Sequence, residues 1–99
     1  MNEHTRRLLD RMRYLLDQYS RKTLSLRSLV DGLELNLNTL EERLPEKFYS
    51  DWYTHWGTLE VALAMSVEGL RTEDESRAQV LKAVEALDHL IQTAESPDQ

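Results

Sequence analysis

The side chains able to do chemistry in this chain are three histidines, eighteen carboxylates and a short run of aromatic residues, with no cysteine among them. A metal centre built on helices needs paired ligands on one helical face, as in HExxH, or Glu-x-x-His on two helices of a bundle. His4, His55 and His89 lie far apart, and neither His55 nor His89 has Glu three residues before it. Asp51/His55 and Glu85/His89 are i,i+4 pairs, a spacing that surface ion pairing accounts for in a heavily charged helix. No glycine-rich phosphate loop or nucleophile elbow is present, and a chain without cysteine has no thiol nucleophile, disulfide framework or zinc finger. The expectation is a protein with no catalytic residue, no metal site and no cofactor.

The aromatic run is more informative. Phe48, Tyr49, Trp52, Tyr53 and Trp56 are five of the seven aromatics. Wound at about 100° per residue, Phe48, Trp52, Trp56, Leu59 and Leu63 gather on one side and form a core stripe. Glu46, Tyr49, Tyr53 and Glu60 fall along its edge, either as a boundary layer with hydroxyls in water or as a strip that binds a partner, Tyr being enriched in interface hot spots. Glu60, between Leu59 and Val61, reads as a carboxylate at a core boundary that needs a Tyr, Arg or partner cation to hold it. Beyond Gly57 the segment is apolar nearly all round, through Val61, Ala62, Leu63, Ala64, Met65 and Val67. Such a helix is either buried centrally or meets another chain, which would give a homodimer through Val61, Ala64 and Met65.

These residues need elements to hold them, and four amphipathic segments supply them. In the first, residues 3 to 20, Leu8, Met12, Leu15 and Tyr19 recur at helical spacing, and Arg6/Asp10, Arg13/Asp17 and Asp17/Arg21 are i,i+4 pairs on the far side. Ser25 reads as the N-cap of the second, with Leu24 and Leu29 as a hydrophobic staple. Leu26, Val30, Leu33, Leu37, Leu40 and Leu44 then alternate by four and three, the inner stripe of a bundle helix, with Leu35 off it. Gly32, costly in a helix interior, fits a place where a neighbouring helix comes close. Leu44-Pro45 predicts a tight turn, with Pro45 opening the third helix over about 46 to 68. Gly69 suits the C′ position, and Thr72 with Glu75 spells a capping box for the fourth helix, which runs to about Ala94 on Val80, Val84, Leu87 and Ile91. The expected fold is an all-α, antiparallel up-down-up-down four-helix bundle in one domain over 1–95, with a flexible tail over 96–99.

Ninety-nine residues allow one core, and a longest apolar run of five, Val61 to Met65, is far short of the roughly 20 a membrane span needs. A soluble cytoplasmic protein is the expectation. The formal charge of −6 divides unevenly: residues 1 to 27 carry +4 and the remainder −10. An acidic body disfavours nucleic acid and suits a basic partner, or solubility alone. A basic first helix beside an acidic third or fourth would neutralise part of this asymmetry internally.

The leucine seam from Leu26 to Glu34, the acidic turn before Pro45 and the stretch from Trp52 to Glu60 together resemble small bacterial helical proteins of the colicin D immunity type. The likeness is one of pattern and length over nearly the whole chain. It implies a compact, non-catalytic binding module that plugs the basic active site of a tRNA-cleaving toxin. It makes Glu46, Tyr49, Tyr53 and Glu60 the candidate partner-binding residues, and the basic first helix departs from a purely acidic plug.

Overall fold

In a computed structural model, which describes residues 1–95, four helices follow one another without a strand among the described residues: α1 Glu3–Ser20, α2 Leu26–Thr39, α3 Glu46–Val67 and α4 Glu73–Glu95. The tail expected over 96–99 lies outside the described residues.

Local chemistry sets most of the boundaries. Asn2 caps α1 by accepting the Thr5 N–H at 2.8 Å, and Ser25 caps α2 by accepting the Ser28 N–H at 3.1 Å. Thr72 and Glu75 form the expected reciprocal box, the Glu75 N–H donating to Thr72 Oγ1 at 3.1 Å and the Thr72 N–H to Glu75 Oε1 at 2.9 Å. The Thr72 N–H, and after it the Thr72 hydroxyl, hold the Glu75 carboxylate below the usual range. Gly69 turns α3 off at φ 74, and the Gly69 and Leu70 N–H groups close back on Ser66 O and Met65 O. The end of α1 has the same arrangement with Lys22 at φ 66, its N–H donating to Tyr19 O and that of Thr23 to Gln18 O.

The second boundary differs from the sequence reading. α2 stops at Thr39, and Leu40 is already extended at φ −61, ψ 127. Residues 40–45 form a connection rather than a tight turn, and Pro45 is the N-cap residue, its carbonyl accepting the Phe48 N–H at 2.9 Å. Leu44 still reaches the core at 5% exposure, but from irregular backbone. Two acids, Glu41 and Glu42, follow the last turn of α2, where the negative end of the helix dipole opposes helix continuation.

The helices pack as a ring, α1 on α2, α2 on α3, α3 on α4 and α4 on α1. α1 and α4 run antiparallel, since Arg13 meets Asp88 while Arg77 meets Tyr19 and Ser20. With short connections the result is the up-down-up-down bundle, 42 × 24 × 21 Å overall. Its core joins Leu9, Met12 and Leu16 of α1, Leu26, Leu29 and Leu33 of α2, Trp52 and Leu59 of α3, and Val80, Leu87 and Ile91 of α4, all at most 2% exposed. Gly32 marks the expected close approach: a Cβ there would stand 2.8 Å from Leu15 Cδ1 on α1.

Candidate functional site

Three of the four residues singled out on α3 share one concavity. The end of α2, the connection and the first two turns of α3 enclose about 530 Å³ lined by Asn38, Glu41, Glu42, Arg43, Glu46, Tyr49 and Tyr53, among others. Pro45 is the N-cap of α3, and Glu46, Tyr49 and Tyr53 follow it up one helical edge.

Each side chain is braced from behind. Arg43 donates to Glu46 Oε2 at 3.0 Å, and its guanidinium lies 4.3 Å from the Tyr49 ring centroid. Tyr49 is half-buried, and its hydroxyl accepts the Leu44 N–H at 3.4 Å, so that this ring belongs to the boundary between core and solvent. Its ring meets Phe48 edge-on at 5.6 Å, and Phe48 stacks on Trp52 at 5.7 Å, tying the hollow to the core. Tyr53 stands 51% exposed at the rim, its ring held edge-on by Trp56 at 6.1 Å. Glu42 accepts the Asn2 N–H at 2.9 Å, and that donor, with the Thr5 hydroxyl, keeps its carboxylate below the usual range. Three carboxylates against one guanidinium, beside an exposed aromatic ring, can accept hydrogen bonds from a cation and stack its stem.

Glu60 is not part of this group. It lies on the same edge, roughly 20 Å along the axis from Glu46, exposed, and without a hydrogen bond or ion pair among the described residues. The expectation of a core-boundary carboxylate held by a partner in its own chain is overturned, because only Leu59, at 0%, points inward while Val61 is 55% exposed. Nor is the second half of α3 buried all round. Ala62 is buried and Leu63 and Met65 are half-buried, but Val61, Ala64 and Val67 face solvent.

The sequence marks an acidic turn before Pro45, but the leucine seam carries α2 through it, so Glu41, Glu42 and Arg43 are not among the expected site residues. Their signal was the pair of acids at a helix C-terminus.

A second concavity, about 600 Å³, follows the seam between α1 and α4 and includes Asp10, Arg13, Tyr14, Asp17, Glu85 and Asp88. Of the i,i+4 pairs that share Asp17, Asp17/Arg21 forms as expected at 2.8 Å and Arg13/Asp17 does not: Arg13 crosses to α4, with Nε 2.9 Å from Asp88 Oδ1 and Nη1 3.6 Å from Glu95 Oε1. The Glu95 carboxyl is pushed up to about 7, first by burial and then by the adjacent Asp10 carboxylate, against the pull of Arg13. At the other end of the seam Arg77 lies 5.3 Å over the Tyr19 ring, whose hydroxyl burial pushes up. Basic α1 therefore does neutralise against acidic α4, through Asp88 and Glu95 on Arg13.

Asp51 pairs with Lys47 at 3.0 Å rather than with His55, and His89 is exposed. Among the described residues no three His, Asp or Glu side chains converge as a metal cage requires, and no helix is long and apolar enough to cross a membrane. Comparison with protein-family models, with curated proteins and with solved structures finds no match to this chain.

Proposed function

We propose that this chain is a non-catalytic protein-binding module whose hollow between α2 and α3 captures a basic protein surface, in the manner of an immunity protein that blocks a basic nuclease toxin in the cytoplasm of a bacterium. The observation that carries this reading is the convergence of Glu41, Glu42 and Glu46 with Tyr53 on one concave surface. The charge of −10 over residues 28 to 99 would steer a basic domain toward it. The braced rings of Tyr49 and Tyr53 arrive preorganised, so that little side-chain entropy is lost on docking. Absence of a cofactor and of catalysis are part of the same proposal.

Calorimetric titration against the ribonuclease domain of a colicin D-type toxin tests it. Glu46→Lys combined with Tyr53→Ala should weaken binding by at least about 2 kcal/mol, the hot-spot scale, with helicity and melting preserved because both side chains are solvent-exposed. Association should slow as salt rises, since steering is screened over about 8 Å at physiological ionic strength. No binding by the wild type, or equal binding by the double variant, counts against the hollow as the interface.

A further inference from the structure

The lower half of α3 presents a different surface. A groove of about 690 Å³ separates it from α4, with Val61, Ala62, Met65 and Ala83 among its apolar lining and Lys82 on its α4 side. Val61 is 55% exposed, and a Cβ placed on Gly57 would meet nothing within 4 Å. Ala64 is likewise exposed. Gly57 and Ala64 thus form a smooth ridge beside Val61, and Glu60 stands on the rim of that ridge away from α4. Lys82 is exposed and makes no ion pair among the described residues, as is true of Glu60. The two stand at similar heights, Glu60 seven residues before the end of α3 and Lys82 nine after the start of α4.

One apolar strip thus has an unpaired acid along one rim and an unpaired cation along the other. A two-fold axis perpendicular to α3 would lay acid on acid. An axis parallel to α3 lays the Glu60 rim of each copy on the Lys82 rim of its mate and brings Val61 against Val61. We propose that this groove is occupied by α3 of a second copy of the chain, running parallel to the first, with Val61 and Met65 at the centre and two Glu60–Lys82 pairs between copies. Gly57 and Ala64 allow the close approach to α4 of the mate that this seating needs. The proposal stands apart from capture at the hollow, since Glu46 and Tyr49 lie toward α2.

Sedimentation equilibrium of the intact chain tests it. The wild type should dimerise reversibly, and Val61→Glu should raise the dissociation constant at least about tenfold by placing a charge in the apolar centre. Because Val61 is exposed in the single chain, the variant keeps its helicity. Glu60→Lys and Lys82→Glu should each weaken the dimer, and the two reversals combined in one chain should restore it. As the chain has no cysteine, Thr54→Cys reports direction: parallel helices bring residue 54 to itself and form a disulfide-linked dimer on oxidation. A chain that stays monomeric leaves the groove to a different protein and overturns the proposal. So does a dimer indifferent to Val61→Glu, one that the double reversal fails to restore, or one that Thr54→Cys does not cross-link.

Discussion

Along the seam between α1 and α4, Arg13 divides its guanidinium between Asp88 and Glu95, whereas on the outward side of α3 Glu60 faces solvent with no ion pair among the described residues. Both surfaces are built from helices of 18 to 23 residues and both carry carboxylates, but α3 has no arginine. The seam uses its charges to select a neighbour: basic α1 gains most from lying beside acidic α4, which helps fix the order of helices around the ring. The outer side of α3 has apolar side chains and carboxylates that no other helix takes up. A charge taken up by a neighbouring helix serves the fold, and one that no other helix takes up, beside exposed aromatic or aliphatic groups, is available for recognition.

The largest effects should separate the two sides of α3 itself. Trp52, 1% exposed, stacks on Phe48, and Trp52→Ala should cost about 3 to 5 kcal/mol in chemical denaturation through the cavity it leaves. Val61→Ala, nine residues on and outward, should change the stability of the monomer by less than about 0.5 kcal/mol. A comparable loss at both positions would erase the distinction between an inner and an outer face.

The next effect contrasts the charges. Arg13→Ala strips two carboxylates of their partner and should cost about 1 to 2 kcal/mol, less than a fully buried pair because Arg13 keeps 40% of its side-chain exposure. Glu60→Ala should be nearly silent in the same assay. The seam should also respond to pH. Glu95 titrates at about 7 in the folded chain, against an ordinary value of 4.5. Between those values the folded state holds more protons than the unfolded one, so stability is fully present below pH 4.5, falls as pH rises toward 7 and levels off beyond. Glu95→Gln should flatten that slope, which thermal melts at a series of pH values would show. An unchanged slope would mean that Glu95 is not buried against Asp10.

The smallest effects compare the ends of α1 and α3, which close in the same way on different residues. Gly69→Ala should destabilise by about 1 kcal/mol, since φ 74 suits glycine and the surrounding space is open. Lys22→Gly should stabilise by about 0.5 to 1 kcal/mol by relieving φ 66 at the equivalent position. Equal and opposite signs at these two sites would show that backbone conformation, and not side-chain contact, sets the strength of each end.

Much of the fold could be read from local signals that depend on a few neighbouring residues. Ser25, Gly69 and the Thr72–Glu75 box act within one turn of helix, so the sequence contains everything that decides them. The seam of leucines misled for a physical reason: Leu40 and Leu44 keep the buried spacing of a helix, but a connection that dips into the core satisfies the same spacing. The site was legible only in part for the same reason. Glu46, Tyr49 and Tyr53 were found because one helical edge joins them, and Glu60 was grouped with them by angle alone, although the axial rise places it elsewhere. Glu41, Glu42 and Arg43 join the hollow through the path of the connection, and the path of Arg13 to Asp88 spans 75 residues. Periodicity within a segment carries no information about either.

The most direct test of recognition at the hollow is chemical-shift mapping on the isotope-labelled chain titrated with a colicin D-type ribonuclease domain. Perturbations should concentrate on residues 38 to 53, strongest at Glu46, Tyr49 and Tyr53, while Arg13, Asp88 and Glu95 stay unmoved. Shifts centred on the α1–α4 seam, with residues 38 to 53 unaffected, would contradict the division between a seam that serves the fold and a face that serves recognition.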